Sequence, residues 1–398
     1  MANGGKARVI QLQPTDNVCV AVTNLVAGSE IALGGCCIRL SAAVPMGHKI
    51  ATCAIGRGEP VRKYGQIIGH ATQSVAMGDW VHTHNLAMRE FHRDHACATC
   101  IPPDPAPITD RTFLGYRRAG GRVGTRNYLA IISTVNCSAS VSKYIARRFG
   151  PAELRDFPQV DGVVAFTHYS GCGIQFGGTA HAMLNRVLAG IARHPNIGAY
   201  LLVGLGCEQA EMNYLVREHQ LVQIDGTASV EGAPPVLSMQ DQGGTLKTLE
   251  AGVQKVRELL PLVNDVRRET IPASEIVLAT NCGGSDGNSG ITANPALGVA
   301  SDMLVACGGT TILAETTEIY GAEHLLTRRA KSVTVAEKLL ERIKWWKWYT
   351  GVFGVDIDNN PSVGNKQGGL TTIAEKSLGA VAKGGSTALV DVLQYAEP

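Results

Sequence analysis

Leu129-Ala-Ile-Ile-Ser-Thr-Val135 is a short apolar run, and Asn136-Cys137-Ser138 follows it directly before a segment of helical character that reaches Phe149. The same order recurs down the chain. Val163-Val-Ala-Phe-Thr167 leads to His168 and Gly171-Cys172-Gly173, then to a helix from about Thr179 to Arg193. Tyr200-Leu-Leu-Val203 leads to Gly206-Cys207-Glu208, and Glu275-Ile-Val-Leu-Ala279 leads to Asn281-Cys282-Gly283-Gly284. Strand, small-residue loop and helix, four times over, predict an α/β, Rossmann-like domain with a mainly parallel sheet.

Upstream the rhythm is different. Val9–Leu12, Val18–Val22, Ile38–Leu40, His48–Cys53, Gln66–Ala71 and Trp80–His84 are short β segments divided by Gly, Pro and Asp turns, which predicts a small all-β module. Pro102, Pro103, Pro105 and Pro107 mark an extended linker. The expected domains are therefore 1–87, a linker over 88–111, and an α/β domain over 112–398. Glu375 to Leu389 reads like a domain interior, so the chain is expected to continue beyond Pro398.

The 36 basic and 34 acidic residues leave a net charge of +2, which argues for neither a nucleic-acid nor a membrane surface. No apolar stretch approaches a membrane span, and Met1 to Arg8 lack a secretory core. Eleven cysteines without a signal peptide point to a reducing, cytoplasmic setting, in which thiols serve as ligands, nucleophiles or core residues.

Ligands of a parallel sheet bind beyond the carboxyl ends of its strands, and Cys137, Cys172, Cys207 and Cys282 each follow such an end. Three or four thiolates there suit a soft metal or an iron–sulfur cluster; as small apolar residues, the same cysteines also suit a tight core. His82 and His84, two apart on a strand, would share one face, and His48 after Pro45-Met46-Gly47 is a third imidazole for a divalent metal. His92, His95, Cys97 and Cys100 look like half a zinc site without its second half.

Arg122 and Arg126 lie in a glycine loop ahead of the first α/β strand, where guanidinium forks can clamp a carboxylate or pair with nearby acids. Gly204-Leu-Gly206, with Asp225 further on, only faintly matches a dinucleotide fingerprint, because position 209 is Gln. Glu315, Glu318, Glu323 and His324 concentrate acids beside an imidazole, and Asn365-Lys366 sits in another glycine loop; either group supplies candidates for acid or base. Trp345, Trp346, Trp348 and Tyr349 fit packing on a helix.

Gly47-His48-Lys49, Lys63-Tyr64-Gly65, His82-Thr-His84-Asn85, Gly121-Arg122-Val-Gly-Thr-Arg126-Asn127-Tyr128, Asn136-Cys137-Ser138, Gly171-Cys172-Gly173, Gly204-Leu-Gly-Cys207-Glu208, Cys282-Gly-Gly-Ser285-Asp286, Ala314-Glu-Thr-Thr-Glu318, Gly364-Asn365-Lys366 and Glu375-Lys376-Ser377-Leu378-Gly379 run in this order. Together they resemble the altronate/galactarate dehydratase family, and the His-x-His-Asn ending looks more like the altronate branch. The resemblance implies a β-clip SAF module before an α/β domain, and elimination of water from a sugar acid with Fe(II) or Mn(II). It also implies a C-terminal region that this chain was expected to lack.

On that reading His48, His82 and His84 hold the metal, with Cys137, Cys172, Cys207 and Cys282 as the alternative set. Arg122, Arg126, Asn127 and Asn365 bind substrate, and His168, Lys366 and Glu318 move protons. The expected partner is a small-molecule sugar acid, and a homo-oligomer is expected, with no nucleic acid and no membrane. A non-catalytic sugar-acid-binding chain that needs a partner is the competing reading.

Overall fold

The computed structural model describes residues 9–89, 94–222, 224–225, 228–229 and 233–395, and the chain divides into two compact units. The first comprises 1–109 with 276–392, and the second 110–275 with 393–398. The division departs from the expected 112–398 domain, because residues 276–392 fold with the β module. The physical reason is a shared core: Val18, Ile55, Val61 and Ile68 of the module cluster with Ile319, Leu326, Leu339 and Leu378. Separating them would return this apolar area to water.

Within the first unit, Val9–Ile10, Val18–Ala21, Lys49–Ala51 and Trp80–Val81 form an antiparallel sheet. The hairpins Glu30–Leu33/Cys36–Arg39 and Pro60–Lys63/Gln66–Ala71 fall between its successive strands in sequence. The module is thus one motif used twice, each copy ending at a glycine, Gly47 or Gly78, with φ of +83° and +89°. The strands Glu30–Leu33 and Pro60–Lys63 were not anticipated, since Glu30, Pro60, Arg62 and Lys63 hide the alternation. A hydropathy pattern cannot foresee that Lys63 is buried.

In the C-terminal part of this unit Val277–Thr280 pairs in parallel with Thr310–Leu313. The fourth predicted strand therefore belongs here and not in the large sheet. The helix Ile373–Val381 is buried along its whole length although it carries Glu375 and Lys376. Such charges must find partners inside the protein.

In the second unit Gly162–Phe166, Tyr128–Ser133, Ile197–Gly204 and Val236–Ser238 lie side by side in that order, all parallel. Successive side chains of Tyr128–Ser133 point to opposite faces. Leu129 and Ile131 pack with Val141 and Ile145 of the helix Ala139–Ala146 and Val256 of Thr245–Asn264. Ala130 and Ile132 pack on the other face with Leu188 of Thr179–Ala192 and Leu215 of Met212–Glu218. Helices on both faces explain why these strands read as unbroken apolar runs. Strand order reverses between Tyr128–Ser133 and Ile197–Gly204, which opens a crevice at their carboxyl ends.

Candidate functional site

Three imidazoles of the first unit gather around one indole. The His82 ring stacks on Trp80 at 5.3 Å with 8° between planes, while His48 and His84 meet Trp80 edge-on at 5.3 and 5.4 Å. The mechanism differs from the expected one: the strand stops at Val81, and residues 82–85 form a turn. Asn85 closes it, accepting from His82 N and donating to Trp80 O, both at 2.9 Å.

The three rings are not equivalent. His48 donates from Nε2 to the Gln367 carbonyl at 2.9 Å, and its Nδ1 accepts from Trp80 Nε1 at 3.2 Å. These partners fix its tautomer and leave it no lone pair for a metal. His82 Nδ1 is buried with no hydrogen-bond partner. Burial first, then Lys49 and His48, push its pKa down to about 4, so the ring is neutral at pH 7. His84 is exposed. A neutral imidazole with a free buried nitrogen fits a divalent ion, so His82, with His84 beside the same indole, suits the expected metal and His48 is their brace. Among the described residues, no three His, Cys, Asp or Glu side chains converge to hold a single ion.

Beside them three glycine backbones meet. Gly287 N donates to Gly368 O at 2.7 Å, and a Cβ on Gly287 or Gly369 would collide with the Gly47 carbonyl. Asn365 caps its own helix by accepting from Ser362 N at 3.0 Å, and donates to Ser285 O at 2.8 Å. Asn365 thus positions loops instead of presenting its amide to a ligand. Lys366, its neighbour, has no partner for its amine among the described residues. Glu318 is buried against Lys376 at 2.8 Å and receives Asn360 Nδ2 at 3.1 Å, while its Oε2 has no partner.

Beneath lies a group to which the sequence gave no role. Glu375 is fully buried between Lys49, at 2.9 Å, and Lys63, at 2.8 Å, and also accepts from Thr371 N and Oγ1 at 2.9 and 2.6 Å. The two ammonium groups hold this carboxyl far below the usual carboxylate range against its desolvation. Desolvation pushes Lys49 down to about 8. The partners stand 326 and 312 residues apart, so no local pattern could pair them.

The second unit presents thiols. Cys137, Cys172 and Cys207 are all exposed, on the loops that follow three adjacent parallel strands. Cys172 and Cys207 both lie close enough to Cys137 to perturb its thiol, which donates to Asn136 Oδ1 at 3.7 Å. Desolvation, followed by the two neighbouring thiols and Glu208, holds the Cys137 thiol above its ordinary value. Asn136 N donates to Ser170 O at 2.8 Å and Ala210 N to Gly171 O at 3.2 Å, which ties the three loops together. Gly171 has φ +102°, and a Cβ there would lie 2.7 Å from Thr134 O.

Glu208 is buried under the same loops, accepting from Thr134 Oγ1 at 3.1 Å and from Leu205 N and Gly206 N at 3.2 and 2.6 Å. The amides that a dinucleotide phosphate would need are therefore taken by a carboxylate. His168 spans Ser133 O (3.0 Å from Nε2) and Ser170 N (3.1 Å from Nδ1). Both its nitrogens are engaged, so it acts as a brace where a base was expected.

Asn127 is fully buried: it donates to Gln159 O and Val263 O at 2.8 Å and accepts from Arg118 at 2.9 Å. It holds strand ends together and offers nothing to a substrate. Arg122 and Arg126 are exposed and keep their guanidinium groups available. Cys282 belongs to the first unit, with Ser285 Oγ at 2.8 Å from its sulfur, so it does not join the other three in one sheet. His95 contacts Glu323 at 3.0 Å, and His92 lies outside the described residues.

A doubly wound sheet with a loop-built site at its carboxyl edge, in one chain with clustered imidazoles, defines an α/β enzyme that handles small molecules. Residues 7–89 match the altronate/galactarate dehydratase SAF domain, 115–264 the second domain of D-galactarate dehydratase/altronate hydrolase, and 273–398 the C-terminal domain of D-galactarate/altronate dehydratase. The chain belongs to the altronate/galactarate dehydratase family. Sequence of the C-terminal domain is present over residues 273–398. The chain is 38% identical over 392 residues to altronate dehydratase of Escherichia coli K12, covering 98% of this chain and 76% of the relative. Altronate dehydratase of Bacillus subtilis 168 is 36% identical over 389 residues, 98% and 76% of the two chains. Galactarate dehydratase (L-threo-forming) of E. coli K12 is 38% identical over 395 residues, 96% and 73% of the two chains.

Proposed function

We propose that the protein is a cytoplasmic hydro-lyase that dehydrates a hexonic or hexaric sugar acid to its 2-keto-3-deoxy product, on a Rossmann-like scaffold. The observation that carries this reading is identity spread along 98% of the chain to an altronate dehydratase. At 38% for both E. coli enzymes, identity does not choose between altronate and galactarate. The His-x-His-Asn turn supports an altronate-like substrate.

The reaction breaks a C–H bond α to the carboxylate and the C–O bond at the β carbon; the hydroxyl leaves with a proton as water, and the enol tautomerises to the ketone. Arg122 and Arg126 of the second unit have exposed, fork-shaped guanidinium groups that suit a carboxylate. Lys366 is assigned the proton transfer, because its amine is unengaged whereas His168 and Glu318 are tied to neighbours. His82 and His84 would hold Fe(II) or Mn(II), which supplies Lewis acidity toward the carboxylate and the leaving hydroxyl.

The test is an assay of hexonates and hexarates with Fe(II) or Mn(II), reading 2-keto-3-deoxy acid. Turnover of altronate or an epimer, abolished by chelator and lowered about 100-fold or more in Lys366→Met, is expected. A folded, metal-loaded protein that dehydrates none of them would sink the reading and favour a binding chain.

A further inference from the structure

We propose that Cys137, Cys172 and Cys207 hold an iron–sulfur cluster at the carboxyl edge of the parallel sheet, three irons bound by the three thiolates and one left without a protein ligand. Cysteine is among the most buried residue types, yet all three are exposed here, side by side, at the place where such sheets bind ligands. Their loops are cross-tied by the Asn136–Ser170 and Ala210–Gly171 backbone bonds, by His168 and by Glu208, so the thiols are presented on a rigid frame. Gly171 lets the Cys172 loop approach Thr134 more closely than any side chain would allow.

Thiols spread over three loops suit the corners of a cluster better than one ion. Ligands of one ion converge on one point, and no such convergence exists among the described residues. Ligands of a cluster each take a different iron and stand around its corners. Three thiolates also repel one another, and a cationic iron core is a species that offsets this repulsion. An iron with an open position is a Lewis acid, the chemistry that expulsion of a hydroxyl needs. As a binding site the cluster stands independently of the dehydratase reading.

The experiment uses the full chain, purified without oxygen and reconstituted with ferrous iron, sulfide and a thiol reductant. About four irons and four acid-labile sulfides per chain, with a broad visible charge-transfer band, are expected. Cys137→Ser, Cys172→Ser and Cys207→Ser should each abolish the band while the circular dichroism of the unloaded chain stays unchanged. Cys307→Ser and His82→Ala should retain it. Iron without sulfide, or neither in a folded chain, overturns the cluster. Loss of the band in Cys282→Ser overturns the open iron. A chain that loads the cluster and dehydrates nothing defeats the function proposed above while leaving this site standing; turnover with manganese in a chain that takes up no cluster does the reverse.

Discussion

His48, His82 and His84 are gathered by an aromatic ring, whereas Cys137, Cys172 and Cys207 are gathered by a sheet. Around Trp80 the imidazoles come from a turn and from the residue before the strand Lys49–Ala51, and their roles are divided by hydrogen bonding: His48 is used up and His82 is left with a free nitrogen. At the sheet edge the thiols come from equivalent positions after neighbouring strands, and the backbone does the positioning. The first arrangement depends on side-chain packing over a buried Lys–Glu–Lys group. The second depends on backbone geometry, with Gly171 at its tightest point. Substitutions should therefore act differently on the two regions.

The largest effect is expected at Glu375. Glu375→Ala leaves two buried ammonium groups without a counter-charge and should cost about 3–5 kcal/mol in urea unfolding. A cost below about 1 kcal/mol would mean that the first unit does not depend on this group. Next, His82→Ala should lower metal affinity or metal-dependent turnover about 10- to 100-fold with little change in stability. Loss of stability in place of affinity would make His82 a packing residue like His48.

At the sheet edge, Gly171→Ala forces a side chain into a positive-φ position against Thr134 O, at a cost of about 1–3 kcal/mol. Hydrogen exchange should show the loosening in the loops after Ser133, Phe166 and Gly204 and not around Trp80. Uniform loosening would contradict the separation of the two regions.

The smallest effect is one of pH. The folded His82 pKa, about 4, lies below the unfolded value near 6.5, so the unfolded chain binds the extra proton first. The stability linked to His82 is therefore complete above about pH 6.5 and is lost as pH falls toward 4. Thermal unfolding across that window should show a decline that is shallower in His82→Asn. The same slope in both proteins would assign the decline to other histidines.

Much of this was legible in residue order. Periodicity marked the strand–loop–helix rhythm and put Cys137, Cys172 and Cys207 at strand ends, because parallel strands buried on both faces must be apolar throughout. It failed where burial contradicted residue type. By sequence Lys49, Lys63 and Glu375 carry no assigned role, Asn127 reads as a ligand residue, and Val277–Thr280 reads as a fourth strand of the same sheet. Each outcome was decided by partners remote in the chain: Gln159 and Val263 for Asn127, Thr310–Leu313 for the strand.

Local order thus determined which residues carry chemistry and on which loops they lie, since loop position follows from short-range pattern. Only the tertiary structure decided which are free to act. His48, His168, Asn127 and Asn365 have their polar atoms engaged, while His82 Nδ1, Lys366 and Arg122 do not. That distinction rests on hydrogen bonds and charge pairs closed across long stretches of chain, whose energies exist only once burial removes water as the competing partner.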